Sequence, residues 1–490
     1  MNHVTFPSSF NMAEYVLQKG SGQLGKVALA TVGESSGQLT YGDLQAQIHD
    51  LAAKIEAQTE APGDRVMLRL GNTPKFPISY LAALAVDRVP IVTSAKLTHV
   101  EVDQMAEETQ PRLVIADPGL PCPSGIEFLD QSAPAMFNGF HKGDPNRPAY
   151  IIYTSGTSGS PRAVVHAHRA ILARQRMIKD WYDLTPEDRL MHAGAFNWTY
   201  TLGTGLMDPW TVGATALIPS DNVATDMLPN LLAEHEATLF AASPGIYRRM
   251  TRHSLPALPK LRHALSAGEK LPEVTRQKWQ DATGTQIHEA FGMSECSTFL
   301  SSSPARPSPK GTLGFPQAGR KVDLLQDGVS AITGVIAVHK DDPGLMLGYL
   351  DQQMETRQRF DGDWFLTGDM GTKNPDGSIV YEGRADDMMN AGGHRVSPIE
   401  VENALSTCAK ISEAACAEVR LKTDLSLIAA FYVSSDVINE EEIERHLRDL
   451  IADYKRPRIF VRVDHLPRGN NNKLLRQKLK KDWEAKHGQT

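Results

Sequence analysis

A change of texture near residue 311 constrains the fold of this chain more than any other feature. Before it, apolar runs of strand length alternate with helical stretches, which predicts an α/β layer. Thr40 precedes Leu44, Ile48, Leu51 and Ile55 at helical spacing, with Asp43 placed to face the first-turn amides. Residues 65–70, 89–93 and 112–116 read as strands around an apolar helix over 76–86. A polar connection over 117–147 leads into a strand over 149–153, and 238–242 and 261–265 continue the series. Past residue 311, the short runs 335–338, 364–366 and 378–381 lie between Gly, Asp and Pro turns, as in a smaller, partly antiparallel region. Ser397-Pro398-Ile399-Glu400 then places a cap, a first-turn proline and an acid as a helix start requires. Asn439 caps another helix, with Glu442 at its third position and Ile443, Leu447 and Leu450 on one face. A compact C-terminal domain is expected from near residue 387.

The chain's 490 residues imply two or three lobes. Its 51 Lys plus Arg against 58 Asp plus Glu supply no general attraction to nucleic acid. The first ten residues lack a secretory pattern, and no apolar stretch reaches the ~18 residues of a membrane span. A cytoplasmic protein is therefore expected. Cys122, Cys296, Cys408 and Cys416 have neither disulfide-framework nor zinc-ligand spacing and read as free thiols.

Four short motifs carry chemistry. YTSGTSGSPR (153–162) follows a strand directly. Such a loop can turn the amides of Thr154, Ser155, Gly156, Thr157, Ser158 and Gly159 around phosphate, with hydroxyls from the Ser and Thr side chains and positive charge from Arg162. By composition alone it also reads as a flexible turn, and it lacks the G-x-x-x-x-G-K-[ST] pattern. HEAFGMSE (288–295) combines Phe291 as a stacking surface, Gly292, the Ser294 hydroxyl and the Glu295 carboxylate, groups suited to a base, a phosphate and hydrated Mg²⁺. Taken singly, Phe291 reads as core and Glu295 as a solvated acid. Thr367-Gly368-Asp369 offers a carboxylate for a sugar diol or an Asx turn. Arg384, Asp386 and Asp387 stand at the domain boundary, where ion pairing and function compete, and Gly392-Gly393-His394 gives a sharp turn with close backbone access.

In their order these motifs resemble the adenylate-forming superfamily, which contains acyl-CoA synthetases, nonribosomal-peptide adenylation domains and beetle luciferases. The resemblance spans most of the chain and also rests on Ala267-Gly268-Glu269, GTLGFP (311–316), LTGD (366–369), YEGRADDMMNAGGHRVSPIEVE (381–402) and LPRGNNNKLLRQKL (466–479). It implies an α/β fold with a large multi-lobed N-terminal domain, residues 1–385, and a small mobile α+β C-terminal domain, residues 386–490, hinged at Asp386. It further implies that the loop from Thr154 to Arg162 handles ATP phosphates and that Gly268 and Glu269 belong to the nucleotide site. Phe291 would stack on adenine, Ser294 meet phosphate, Glu295 support Mg²⁺, Asp369 hold the ribose hydroxyls and Arg384 aid ribose or phosphate binding. Lys473 matches the catalytic C-terminal lysine, and Gly392, Gly393 and His394 would approach a thiol channel. Phe196, Trp198, Tyr200, Gly203 and Thr204 match the acyl-pocket region.

Several positions depart from the pattern. Arg162 replaces the usual lysine, exchanging a point charge for a planar fork. Gly469 and Asn472 stand where threonine and glycine are usual, and the Gly-x-Pro-Asp stretch after residue 419 is absent. Gly292 stands where acetate-activating relatives place tryptophan, which leaves room for a medium-size aliphatic or aromatic acid. The expected function is therefore that of an acid-thiol ligase: ATP, Mg²⁺ and a small carboxylic acid form an acyl adenylate, which coenzyme A converts to a thioester. Loading of a carrier protein or an amine is the enzymatic alternative, and an adenylate-binding sensor the non-enzymatic one.

Overall fold

The structure, a computed structural model, describes residues 7–33, 37–154, 161–391, 394–422, 425–469 and 474–487. Thr40 opens the helix Tyr41–Ala57 through a reciprocal capping box with Asp43, and Tyr41, Leu44, Ile48, Ala52 and Ile55 form its buried face. The helix Lys75–Ala85 is apolar all round, and every residue from Phe76 to Ala85 is buried. It follows the strand Arg65–Arg69, as the spacing predicts.

By proximity the chain divides into two compact units, Met1–Val322 with Val338–Asp363, and Asp323–Ala337 with Trp364–Thr490. The first holds two sheets. In one, Ile287–Met293, His263–Ser266, Leu239–Ala242, Arg189–His192, Thr215–Pro219 and Val27–Val32 are parallel neighbours in that order. Antiparallel strands flank them: Gly37–Thr40 at one edge, Ser297–Ser301 and then Phe315–Pro316 at the other. In the second sheet, Leu113–Ala116, Arg65–Arg69, Val89–Val92 and Pro148–Thr154 are parallel. Arg162–Ala167 and Gly348–Tyr349 extend it antiparallel.

In the second unit the sheet order is Val329–Ser330, Val322–Gln326, Thr333–His339, Trp364–Lys373, with Ile379–Arg384 paired to the last. A hairpin, Met389–Ala391 with His394–Val396, precedes the helix Pro398–Ser406, whose cap Ser397 accepts from Glu400 N. Glu413–Lys422 and Leu425–Val433 pair antiparallel, and Ile459–Arg462 adds a parallel strand. Asn439 caps Glu440–Arg448 through Glu441 N; Ile443 and Leu447 are buried, but Leu450 lies beyond the helix end and is exposed. The four cysteines are free thiols. No described helix is long and apolar enough to cross a membrane.

Candidate active site

Ligands of open α/β sheets gather beyond the carboxyl ends of the strands, where helices and loops leave a crevice. Three strands of the first unit deliver candidate residues there. Arg189–His192 leads to Phe196 and Trp198, His263–Ser266 to Gly268 and Glu269, and Ile287–Met293 carries Phe291 and runs into Ser294 and Glu295. Gly268 adopts φ +97°, and an added Cβ would lie 2.8 Å from the Trp198 indole, so the turn needs glycine to take the ring. The buried Glu289 fixes this turn, accepting from Leu271 N at 3.0 Å and from Arg276 at 2.9 Å. Phe291 meets Phe299 edge-on at 5.6 Å.

Ser294 and Glu295 form the turn between Ile287–Met293 and Ser297–Ser301. The Ser294 hydroxyl lies 3.5 Å from that of Thr199, and Ser294 O accepts from His166 Nε2 at 2.6 Å. Burial pushes His166 down to about 4, so the ring is neutral near pH 7 and Nε2 carries its proton. The Glu295 carboxylate, 7% exposed, accepts from Tyr349 Oη at 2.9 Å. Arg162, the cross-strand partner of Thr154, sets its guanidinium 5.2 Å from the centre of the Tyr349 ring. Its Nε lies 3.7 Å from Glu355. The loop residues Ser155, Gly156, Thr157, Ser158 and Gly159 lie outside the described residues.

The acyl-pocket candidates divide. Phe196 packs on Phe76, Tyr200 stands edge-on to Trp198 at 5.7 Å and to His192 at 4.3 Å, and all but Trp198 are buried. Gly203 and Thr204 instead serve a buried polar cluster. Arg174 donates twice to Asp208, at 2.9 and 2.5 Å, and to Ser297 Oγ at 2.7 Å, while Tyr182 donates to Asp208 at 2.7 Å. Thr204 Oγ1 lies 2.9 Å from Tyr182 Oη, and an added Cβ at Gly203 would strike the Arg174 guanidinium. Gly292 has a comparable steric reason: an added Cβ would fall against Ser297 O and Thr298 Cα in the hairpin partner. The room inferred at this position from sequence is occupied by backbone.

In the second unit, Asp369 and Arg384 are cross-strand partners. The Asp369 carboxylate accepts from Tyr381 Oη at 3.0 Å and from Arg384 Nη1 at 3.5 Å, and Arg384 Nε donates to Asp386 at 3.1 Å. Asp387 accepts from Gln477 at 3.1 Å and lies 3.8 Å from Arg476, which also grips the partly buried Glu402. Gly392, Gly393 and Lys473 lie outside the described residues; His394 begins the strand His394–Val396. Tyr349, Tyr381 and Glu289 carry no role in the sequence reading. The motifs place Tyr381 and Glu289 beside named residues, whereas Tyr349 reaches Glu295 only because Gly348–Tyr349 pairs with Val164 and Val165.

In the first unit these side chains lie beyond the carboxyl ends of a parallel sheet, where ligands of open α/β sheets bind. The model of the AMP-binding enzyme family matches residues 18–350, and that of the AMP-binding enzyme C-terminal domain matches residues 400–473. The chain belongs to this family. It is 27% identical to a 3-hydroxybenzoate–CoA ligase of Aromatoleum sp. (strain CIB), over 90% of this chain and 91% of that one. It is 28% identical to a benzoate–CoA ligase of Thauera aromatica, over 97% of each. The crystal structure of a benzoate CoA ligase from Burkholderia xenovorans LB400 superposes with a TM-score of 0.85 at 27% identity, covering 96% of this chain and 100% of that one.

Proposed function

We propose that this protein is an ATP-dependent carboxylate–CoA ligase acting on an aromatic acid. The observation that carries the reading is the turn Ser294-Glu295 at the end of the last parallel strand of its sheet, with its carboxylate oriented by Tyr349 and the Arg162 guanidinium beside the same ring. The aromatic neighbours Trp198 and Tyr200, and the aryl acids named for the similar ligases, favour an aromatic acid over a small aliphatic one.

A carboxylic acid is already ionised near pH 7, so its attack on the ATP α-phosphate needs no general base. An acyl–phosphate bond forms as the bond to pyrophosphate breaks. Two anions must meet, and the chain's task is to supply oriented positive charge and donors to the phosphates. Arg162, the hydroxyls from Thr154 to Ser158 and Lys473 take that part. Asp369, held by Tyr381 and Arg384, accepts from the ribose hydroxyls. Among the described residues no three metal-ligating side chains gather. The Glu295 carboxylate, oriented by Tyr349, suits Mg²⁺ that arrives on nucleotide phosphate, which keeps its water and takes one or two carboxylates. Mg²⁺ there would neutralise phosphate charge. In the second half-reaction the coenzyme A thiol attacks the acyl carbon and AMP leaves. Rotation about Asp386 that brings residues 392–394 to the thiol path would let one centre serve both steps.

The test is acid-dependent ATP–pyrophosphate exchange over a panel of benzoates, medium-chain acids and acetate, followed by detection of the thioester with free coenzyme A. Exchange strongest with benzoates, and thioester formed, is expected. Folded protein that binds ATP but shows no acid-dependent exchange would overturn the ligase reading in favour of a sensor. Exchange without thioester would point to a carrier or amine acceptor.

A further inference from the structure

The segment from Met346 to Glu355 touches both charged groups of the phosphate side in the first unit. Met346 N donates to Glu295 O at 2.7 Å, and Tyr349 Oη donates to Glu295 Oε1 at 2.9 Å. The Tyr349 ring lies beneath the Arg162 guanidinium at 5.2 Å, and Glu355 lies 3.7 Å from Arg162 Nε. Tyr349 itself is pinned. It pairs with Val164 on the strand that Arg162 begins, and its amide donates to Thr356 Oγ1 at 3.0 Å. The phenol is 4% exposed, and burial followed by the Glu295 charge pushes its pKa well above the usual value, so it remains a proton donor.

An arginine fork and a carboxylate at one site pair bidentately when nothing intervenes, and a closed pair offers neither charge to a ligand. Tyr349 satisfies each by a different part of itself, the hydroxyl for the acid and the ring face for the guanidinium. We propose that Tyr349 is a positioning residue of the adenylation half-reaction, which keeps Glu295 aimed at nucleotide-borne Mg²⁺ and Arg162 separately available to phosphate. This rests on the nucleotide reading of the site given above. Tyr349 itself touches no reacting atom, and thiolation of a preformed adenylate does not depend on it.

Two variants of the full-length protein separate the parts: Tyr349→Phe keeps the ring and removes the hydroxyl, and Tyr349→Met removes both while filling space. Calorimetric titration with ATP, in EDTA and in excess Mg²⁺, reads the metal-dependent gain in affinity without turnover. Tyr349→Phe is expected to keep its Mg²⁺-free ATP affinity and to lose about tenfold of the Mg²⁺-dependent gain, the scale of one charge-assisted hydrogen bond. The Mg²⁺ concentration for half-maximal pyrophosphate exchange should rise in proportion, while thiolation of supplied adenylate stays at the wild-type rate. Tyr349→Met should also weaken Mg²⁺-free ATP binding. Thermal melting checks folding, and if Tyr349→Phe does not fold, Tyr349→Met is read for the combined loss. A folded Tyr349→Phe with unaltered Mg²⁺ dependence in both binding and exchange overturns the proposal alone. Wild-type protein whose ATP affinity ignores Mg²⁺ overturns the nucleotide reading and this proposal together.

Discussion

At Gly292 the chemistry of a single hydrogen atom decides how the hairpin closes. The strand Ile287–Met293 shifts register between Phe291 and Gly292, and the glycine packs directly on the Ser297–Thr298 backbone. Gly292→Ala is expected to cost about 1–3 kcal/mol, the range for forced overpacking, read by denaturant unfolding. The acid preference of the folded fraction should remain that of the wild type. Gly292→Trp is expected to disrupt the hairpin that presents Glu295 rather than merely to shorten an acyl pocket. Normal stability of Gly292→Trp with preference moved to acetate would show that the ring finds a pocket after all. From sequence alone Gly292 reads as spare volume, because a glycine's neighbours across a hairpin are set by register.

The element that shapes the aromatic region is the run of helical turns from Thr199 to Val212, with a wider π turn at Gly203–Met207. Such turns frequently occur at functional sites. Its carboxylate, Asp208, is wholly buried against Arg174, and the same arginine reaches across to Ser297 after the Glu295 turn. Asp208→Ala leaves a buried guanidinium unpaired and is expected to cost about 3–5 kcal/mol, checked by urea unfolding. A loss below about 1 kcal/mol, the range of a surface pair, would show that the cluster contributes little. The cap at Thr40, the cap at Ser397 and the apolar helix Lys75–Ala85 were legible from local pattern, since caps and periodicity act within a few residues. The Asp208 cluster was not, because Arg174, Tyr182, Thr204 and Ser297 come together only through packing.

Across the whole molecule, acid sensitivity follows from buried histidines. Burial is the main cause that lowers His166 to about 4, and His192 and His288 to about 3. An unfolded histidine takes up its proton near 6.5. The folded chain excludes protons that the unfolded chain binds, so their stabilisation is complete above about 6.5 and is lost as pH falls toward 4 and then 3. Each contributes a slope of up to about 1.4 kcal/mol per pH unit in that window. Both ring nitrogens of His192 are buried without a hydrogen-bond partner among the described residues. His192→Leu is therefore expected to leave stability at pH 7 nearly unaltered or improved and to flatten the acid limb of stability against pH, measured by thermal melting. An unaltered limb would remove His192 from the titration.

The chain divides into two compact units, and the second takes in Asp323–Ala337 and Trp364–Ala385, ahead of the hinge expected at Asp386. In the C-terminal sheet, Ala415, Ala417 and Val419 pack with Leu479 and Trp483, while Cys416 joins Val401, Leu405 and Ile443. The α/β class and the ordered motifs that mark the family were already written in the chain. Periodicity, caps and short motifs are local properties that a sequence by itself determines. Tertiary structure alone decided that Tyr349 stands between Glu295 and Arg162, that Gly292 faces backbone, and that Gly203 makes way for Arg174. Each depends on strand register and packing between segments far apart in the chain, where an error of one residue would turn the side chain to the opposite face.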